Sequence, residues 1–198
     1  MQFNKLVKAI IAIICFSCIP SSTQVEEISF IDYETSFTKI RASTVTLYGR
    51  WHSPPHVIIC DKVVTVSRMK LALKFWERLG YSFGSVKEEN DILECMEPQA
   101  NTIKVMLPTS GHDMQNKMAV TETTKLEINN QIVKSEIAIF VWAASRALVL
   151  EHEIGHALGW KHTRTYAHIM HPEWKSIGHS TDRVKHTDYL SFDLSSLP

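Results

Sequence analysis

The stretch His152-Glu153-Ile154-Gly155-His156-Ala157-Leu158-Gly159-Trp160-Lys161-His162 decides how the rest of the chain is read. Three imidazoles, a carboxylate and a glycine stand in it at the spacing a catalytic zinc requires. Residues four apart share a helix face, so His152 and His156 can hold one ion together. A catalytic zinc takes three protein ligands and leaves its fourth position to water, so one more ligand has to come from beyond that pair. On a continuing helix His162 would have rotated well off the line through 152 and 156. Gly159 removes the difficulty, because a glycine takes the left-handed conformation that ends a helix and turns the chain back toward the metal.

Glu153 follows the first ligand and projects beside the ion, where a general base belongs. Zinc held by neutral imidazoles keeps its full charge and lowers the pKa of a bound water toward neutrality. The carboxylate then takes the water's proton and passes it to the departing amine. A lone histidine is best read as a satisfied core residue, but the added glycine and third histidine make that reading a poor one here.

These residues resemble the metzincin superfamily of zinc endopeptidases. Metzincins carry a methionine in a tight turn beneath the zinc, and Met170 in Ala167-His168-Ile169-Met170-His171-Pro172 stands where that turn is expected. Within the superfamily the details are similar to the matrixins, the matrix metalloproteinase-like group: Thr163 after the third histidine, a short gap to Met170, and Pro172 where astacins and serralysins place tyrosine. The chain departs from matrixins in having no propeptide cysteine motif and no loop resembling their structural zinc and calcium site, for which Gly111-His112-Asp113 is too little. One catalytic Zn2+ is therefore expected, without a structural calcium or second zinc. Close similarity is confined to residues 152–172, and residues 56–151 match only in the order of their elements.

The resemblance implies an α+β, metzincin-like (zincin) catalytic domain: a twisted, mostly parallel sheet, two long helices and a small C-terminal lobe. Val57 to Cys60 reads as a strand, as does Val45 to Tyr48, with Pro54-Pro55 as a turn between them. Val66, Met69, Leu73 and Trp76 recur at helical spacing as a core stripe, and Gly80 stops that helix. Ile103, Val105 and Leu107 alternate with Thr102, Lys104 and Met106, as a half-buried strand should. Ile137 to Trp142 reads as a strand apolar on both faces. Residues 117–128 give weaker strand signals, and in a metzincin fold would form the upper rim of the cleft, an edge along which an extended protein or peptide substrate lies. The run from about Ala144 to Leu158 is apolar nearly all round, and reads as one helix through the interior.

At the amino terminus Lys5 and Lys8 precede an apolar run from Ala9 to Ile19, too short to span a bilayer comfortably. Residues 1–22 read as a secretory signal, cleaved near Ser22 or Thr23 or kept as an anchor. Cys15-Phe16-Ser17-Cys18 also resembles a poor lipoprotein box, which would lipidate Cys18. The expected location is secreted, or else lipid-anchored at the cell surface. Residues 23–198 form one catalytic domain, with an extended lead-in from Thr23 to Thr44 and no room for accessory modules. Outside the leader only Cys60 and Cys95 remain, and in an exported domain they form either one disulfide or two buried thiols.

Lys and Arg total 21 against 21 Asp and Glu, and removing Lys5 and Lys8 leaves 19 against 21. Nothing in that balance points to nucleic acid, and a monomer is expected. Among the other histidines, His168 and His171 flank Met170 and are expected beside the ligands or facing solvent; His52, His56, His112, His179 and His186 read as surface residues. Trp174 either walls the substrate pocket or is plain packing.

The sequence thus points to a secreted zinc metalloendopeptidase with Glu153 as base. Its alternatives are a catalytically silent zinc-binding or adhesive module, and a zinc amidase acting on cell-wall peptides. A purely structural site needs no base and tends to close its fourth position, so Glu153 argues for catalysis.

Overall fold

The computed structural model describes residues 46–97 and 99–185. The leader, Cys15 and Cys18, the lead-in to Thr44, and His186 lie outside the described residues.

The elements are β1 (Arg50–Trp51), β2 (His56–Ile59), α1 (Val66–Glu77), β3 (Val86–Glu88), α2 (Ile92–Met96), β4 (Thr102–Met106), β5 (Ala119–Leu126), β6 (Gln131–Ile139), α3 (Val141–Ala144) and α4 (Val149–Ala157), followed by a short 3₁₀ turn, Trp174–Ser176. The six strands form one sheet in the order β1-β6-β4-β2-β3, with β5 also on β6. All neighbours run parallel except β5, which pairs antiparallel with β6 from Ala119↔Ile139 to Leu126↔Gln131. The architecture is the α+β one expected, a curled and mostly parallel sheet with few helices.

α1 forms where the apolar stripe predicts it. The Thr65 side chain caps it by accepting from Arg68 N, and Met69, Leu73 and Trp76 are buried, together with Ala72 and Phe75. That face packs on α4, and three side chains tie the pair: Arg68 donates two 2.8 Å bonds to the Glu151 carboxylate, and Trp76 Nε1 donates to Glu151 O at 2.8 Å. Such a two-pronged guanidinium–carboxylate pair fixes orientation as well as contact.

The structure corrects several expectations. The run 144–158 is not one helix. α3 ends where Ser145 Oγ bonds back to Trp142 O, and α4 begins only at Val149, after Leu148 at φ 63°. No glycine or proline marks the break, because the turn is made by a leucine in the left-handed region. The strand expected over 137–142 ends at Ile139, as Phe140 caps α3. Val45 to Tyr48 is not a strand among the described residues; Leu47 makes an isolated bridge to Trp160. Cys95 lies in α2, where Asp91 accepts from Leu93 N and starts a helix. It is bridged to Cys60, with Cα atoms 6.0 Å apart.

Nor is β4 half-exposed. Thr102, Ile103, Lys104 and Val105 are all buried, and Lys104 is tolerated because it pairs with Glu136 on β6. His112, expected at the surface, is half-buried: its Nε2 meets the other Glu136 oxygen at 2.9 Å, and its Nδ1 accepts from Thr109 N at 3.0 Å. His52, His56 and His179 are exposed, as read from sequence.

Candidate metal centre

α4 is almost wholly buried, including His152 and Glu153, with His156 partly open. Gly159 follows it at φ +101°, and a Cβ there would strike Gly49 O. The chain therefore reverses after Leu158 and carries His162 back. His152 Nε2 lies 3.0 Å from His156 Nε2 and 3.2 Å from His162 Nε2, and the last two are 2.9 Å apart. Among the described residues this trio is the group that offers three metal-ligating atoms at one point.

The contact between His152 and His156 is not a hydrogen bond. His152 Nδ1 lies 2.7 Å from Ile169 O, and His156 Nδ1 lies 2.7 Å from Trp160 O. A carbonyl only accepts, so Nδ1 carries the proton in both rings and Nε2 presents a bare lone pair. Burial depresses the pKa of all three histidines, that of His152 to about 3, so the rings are neutral. These two lone pairs, 3.0 Å apart with no proton between them, repel unless a cation joins them, and His162 Nε2 stands within 3.2 Å of both. Tetrahedral bonds of about 2.0–2.1 Å put nitrogen ligands roughly 3.3 Å apart, close to the triangle seen, so the donors fit zinc.

The support beneath is equally specific. Thr163 N donates to Met170 O at 2.9 Å, closing the loop from His162 to Met170. Met170 is fully buried, and its Sδ lies where a Cβ on Gly155 would fall. His168 is buried in that same turn. Its Nδ1 accepts from Met170 N at 2.9 Å and its Nε2 donates to Asp182 O at 3.1 Å, so it holds the loop and does not join the cluster. His171 Nδ1 accepts from Glu173 N at 3.1 Å. Trp174 packs beside the Arg146 guanidinium, 4.6 Å from its ring centre, and donates to Ala147 O at 3.3 Å.

Three contributors were not read from the sequence. Tyr48 donates to His156 O at 2.7 Å, a carbonyl that also accepts from Gly159 N at 2.8 Å, and Trp51 Nε1 donates to Ala157 O at 2.9 Å, so both side chains tie down the end of α4. Tyr48 N→Gly159 O and Lys161 N→Thr46 O complete a strap over the turn. Thr121, on β5, places its hydroxyl 2.6 Å from Glu153 Oε2. The signal for Thr121 was Thr121 and Thr123 alternating along one strand face, but nothing local gives their partners. Burial pushes the Glu153 carboxyl up to about 7, with the Thr121 bond acting in the opposite direction.

Fold and site together give a curled α+β domain with a candidate metal centre, in which one buried helix supplies two imidazoles and a carboxylate and the following turn a third imidazole. The family model described as Matrixin matches residues 107–193, so the segment holding this cluster is similar to the matrixins, a zinc metalloprotease family. No curated protein and no solved structure matches the chain.

Proposed function

We propose that the chain is an exported zinc metalloendopeptidase, with His152, His156 and His162 as ligands and Glu153 as general base. The observation that carries this reading is the convergence of three imidazole Nε2 atoms within 3.2 Å of one another, two of them left bare by the carbonyls that hold the Nδ1 protons. A zinc bound there supplies a Lewis acid for the scissile carbonyl and acidifies a water. Glu153, adjacent to the ligand His152 and held by Thr121, would accept that water's proton and deliver it to the leaving amine. β5 is the antiparallel outer strand beside α4, and an extended peptide added along it would reach the cluster. Export is supported by the basic, apolar leader pattern and by the Cys60–Cys95 bridge.

The test compares zinc-loaded wild-type and Glu153→Ala protein on a mixture of unfolded proteins, with products read by mass spectrometry. Internal cuts by the wild type, reduced roughly a hundredfold to ten-thousandfold in the variant at equal zinc content, are expected. Equal cutting by both removes Glu153 from the role, and no cutting by either refutes the endopeptidase.

A further inference from the structure

The half-buried face of β5 carries Ala119, Thr121, Thr123 and Lys125, while Glu122, Thr124 and Leu126 are exposed. A strand face turned toward a buried helix is ordinarily apolar. Here Thr123 spends its hydroxyl on Tyr48 and Ser135, and Thr121 is set against Glu153, 2.6 Å from Oε2 and 3.3 Å from the backbone carbonyl. An ionised carboxylate only accepts, so the one hydroxyl proton of Thr121 goes to Oε2, at a separation expected of an O–H···O⁻ bond. Oε1 has no hydrogen-bond partner among the described residues.

We infer that Thr121 is a positioning residue, which by holding Oε2 fixes the plane of the Glu153 carboxylate and leaves Oε1 to meet the attacking water. The inference rests on the reading of Glu153 as general base. A threonine in a strand is stiff at χ1, and β5 is paired to β6 along its whole length, so the hydroxyl is aimed by a rigid element and not by a loop. Glu153 has several rotatable bonds of its own. Without the anchor its carboxylate would sample orientations that miss the water, and an error of about 1 Å in such placement costs on the order of a hundredfold in rate.

Thr121→Val keeps shape and strand preference while deleting the donor, and Thr121→Ser keeps the donor. Two measurements decide the matter. In urea unfolding of the metal-free protein, Thr121→Val is expected to lower the folding equilibrium constant about tenfold beside Glu153, and less than threefold in a Glu153→Ala background. In zinc-dependent cleavage at unchanged zinc content, Thr121→Val is expected to lower kcat on the order of tenfold to a hundredfold with KM held, and Thr121→Ser to restore most of it. Equal unfolding effects in the two backgrounds overturn the anchor, as does a serine variant no better than the valine one. A chain that shows the coupling and cleaves nothing keeps the Thr121–Glu153 contact but removes the base reading beneath it, and with that the positioning role.

Discussion

Replacing Gly155 by alanine tests how tightly the helix that carries His152 and His156 is seated. A Cβ at Gly155 would lie 2.6 Å from Trp76 Cζ2 and 3.0 Å from Cη2, and closer still to Met170 Sδ. Neither neighbour gives way easily. Trp76 is fully buried, bonded to Glu151 O, and in edge contact with Phe75 and Tyr81 at 5.6 and 5.7 Å between ring centres. Met170 is held through its backbone by Thr163 and His168. Helix propensity alone would make the alanine about 1 kcal/mol more stable. Overpacking costs about 1–3 kcal/mol, and a contact this close belongs near the upper end, so the net expectation is a loss of about 2 kcal/mol. Urea unfolding of metal-free protein reads this, and competition with a chelator reads the accompanying loss of zinc affinity as α4 retreats and carries His152 and His156 away from His162. Met170→Ala vacates the space, so the two changes together should cost at least about 1 kcal/mol less than their sum. A Gly155→Ala protein more stable than wild type by its propensity gain would refute the argument.

In metal-free protein Glu153→Gln should be more stable than wild type at pH 8 by about 3 kcal/mol, and equal to it near pH 4. The folded carboxyl titrates at about 7 against 4.5 unfolded, so the stability it contributes is full below pH 4.5 and lost as pH rises through 7, at about 1.4 kcal/mol per pH unit. A pH-independent difference in urea midpoints would sink this. Tyr48→Phe removes the bond to His156 O and should cost about 1 kcal/mol and weaken zinc binding, both read in the same assays; unchanged stability would mean water replaces the phenol without loss. Reducing Cys60–Cys95, which are 35 residues apart, should lower stability by about 2–4 kcal/mol, and a reductant-insensitive unfolding midpoint would argue against the bridge.

What was legible in the sequence was what short spacing encodes. The 152–156 pair follows from helix period and the return of His162 from Gly159. The α1 stripe is a run of local periodicity, and the β4 strand shows as alternation. The break at Leu148 escaped because its left-handed turn uses no turn residue. The burial of Lys104 and the inward side chain of His112 escaped because Glu136, which accepts both, arrives on a strand more than twenty residues later. Thr121 read as a weak strand signal, since a hydroxyl aimed at a carboxylate resembles a polar surface position until α4 is laid beside it. Pattern reports which face a residue is on, not what waits across the gap.

The strap formed by residues 46–51 bears on when the metal can be captured. Its bonds join Thr46, Tyr48 and Trp51 to Lys161, Gly159, His156 and Ala157, over separations of more than a hundred residues. Contacts so distant in sequence are costly to close and form late, after the local helices. An early, partly folded chain offers an incoming ion only the adjacent imidazole pair of α4, a loose two-point grip. The third imidazole stands beside Lys161, whose N donates to Thr46 O, so its seat is complete only once the strap meets the end of α4, and a zinc ion would gain its third ligand at that step. A folding block anywhere along the sheet would therefore surface as a failure to retain metal, well before any residue near the histidines had been touched.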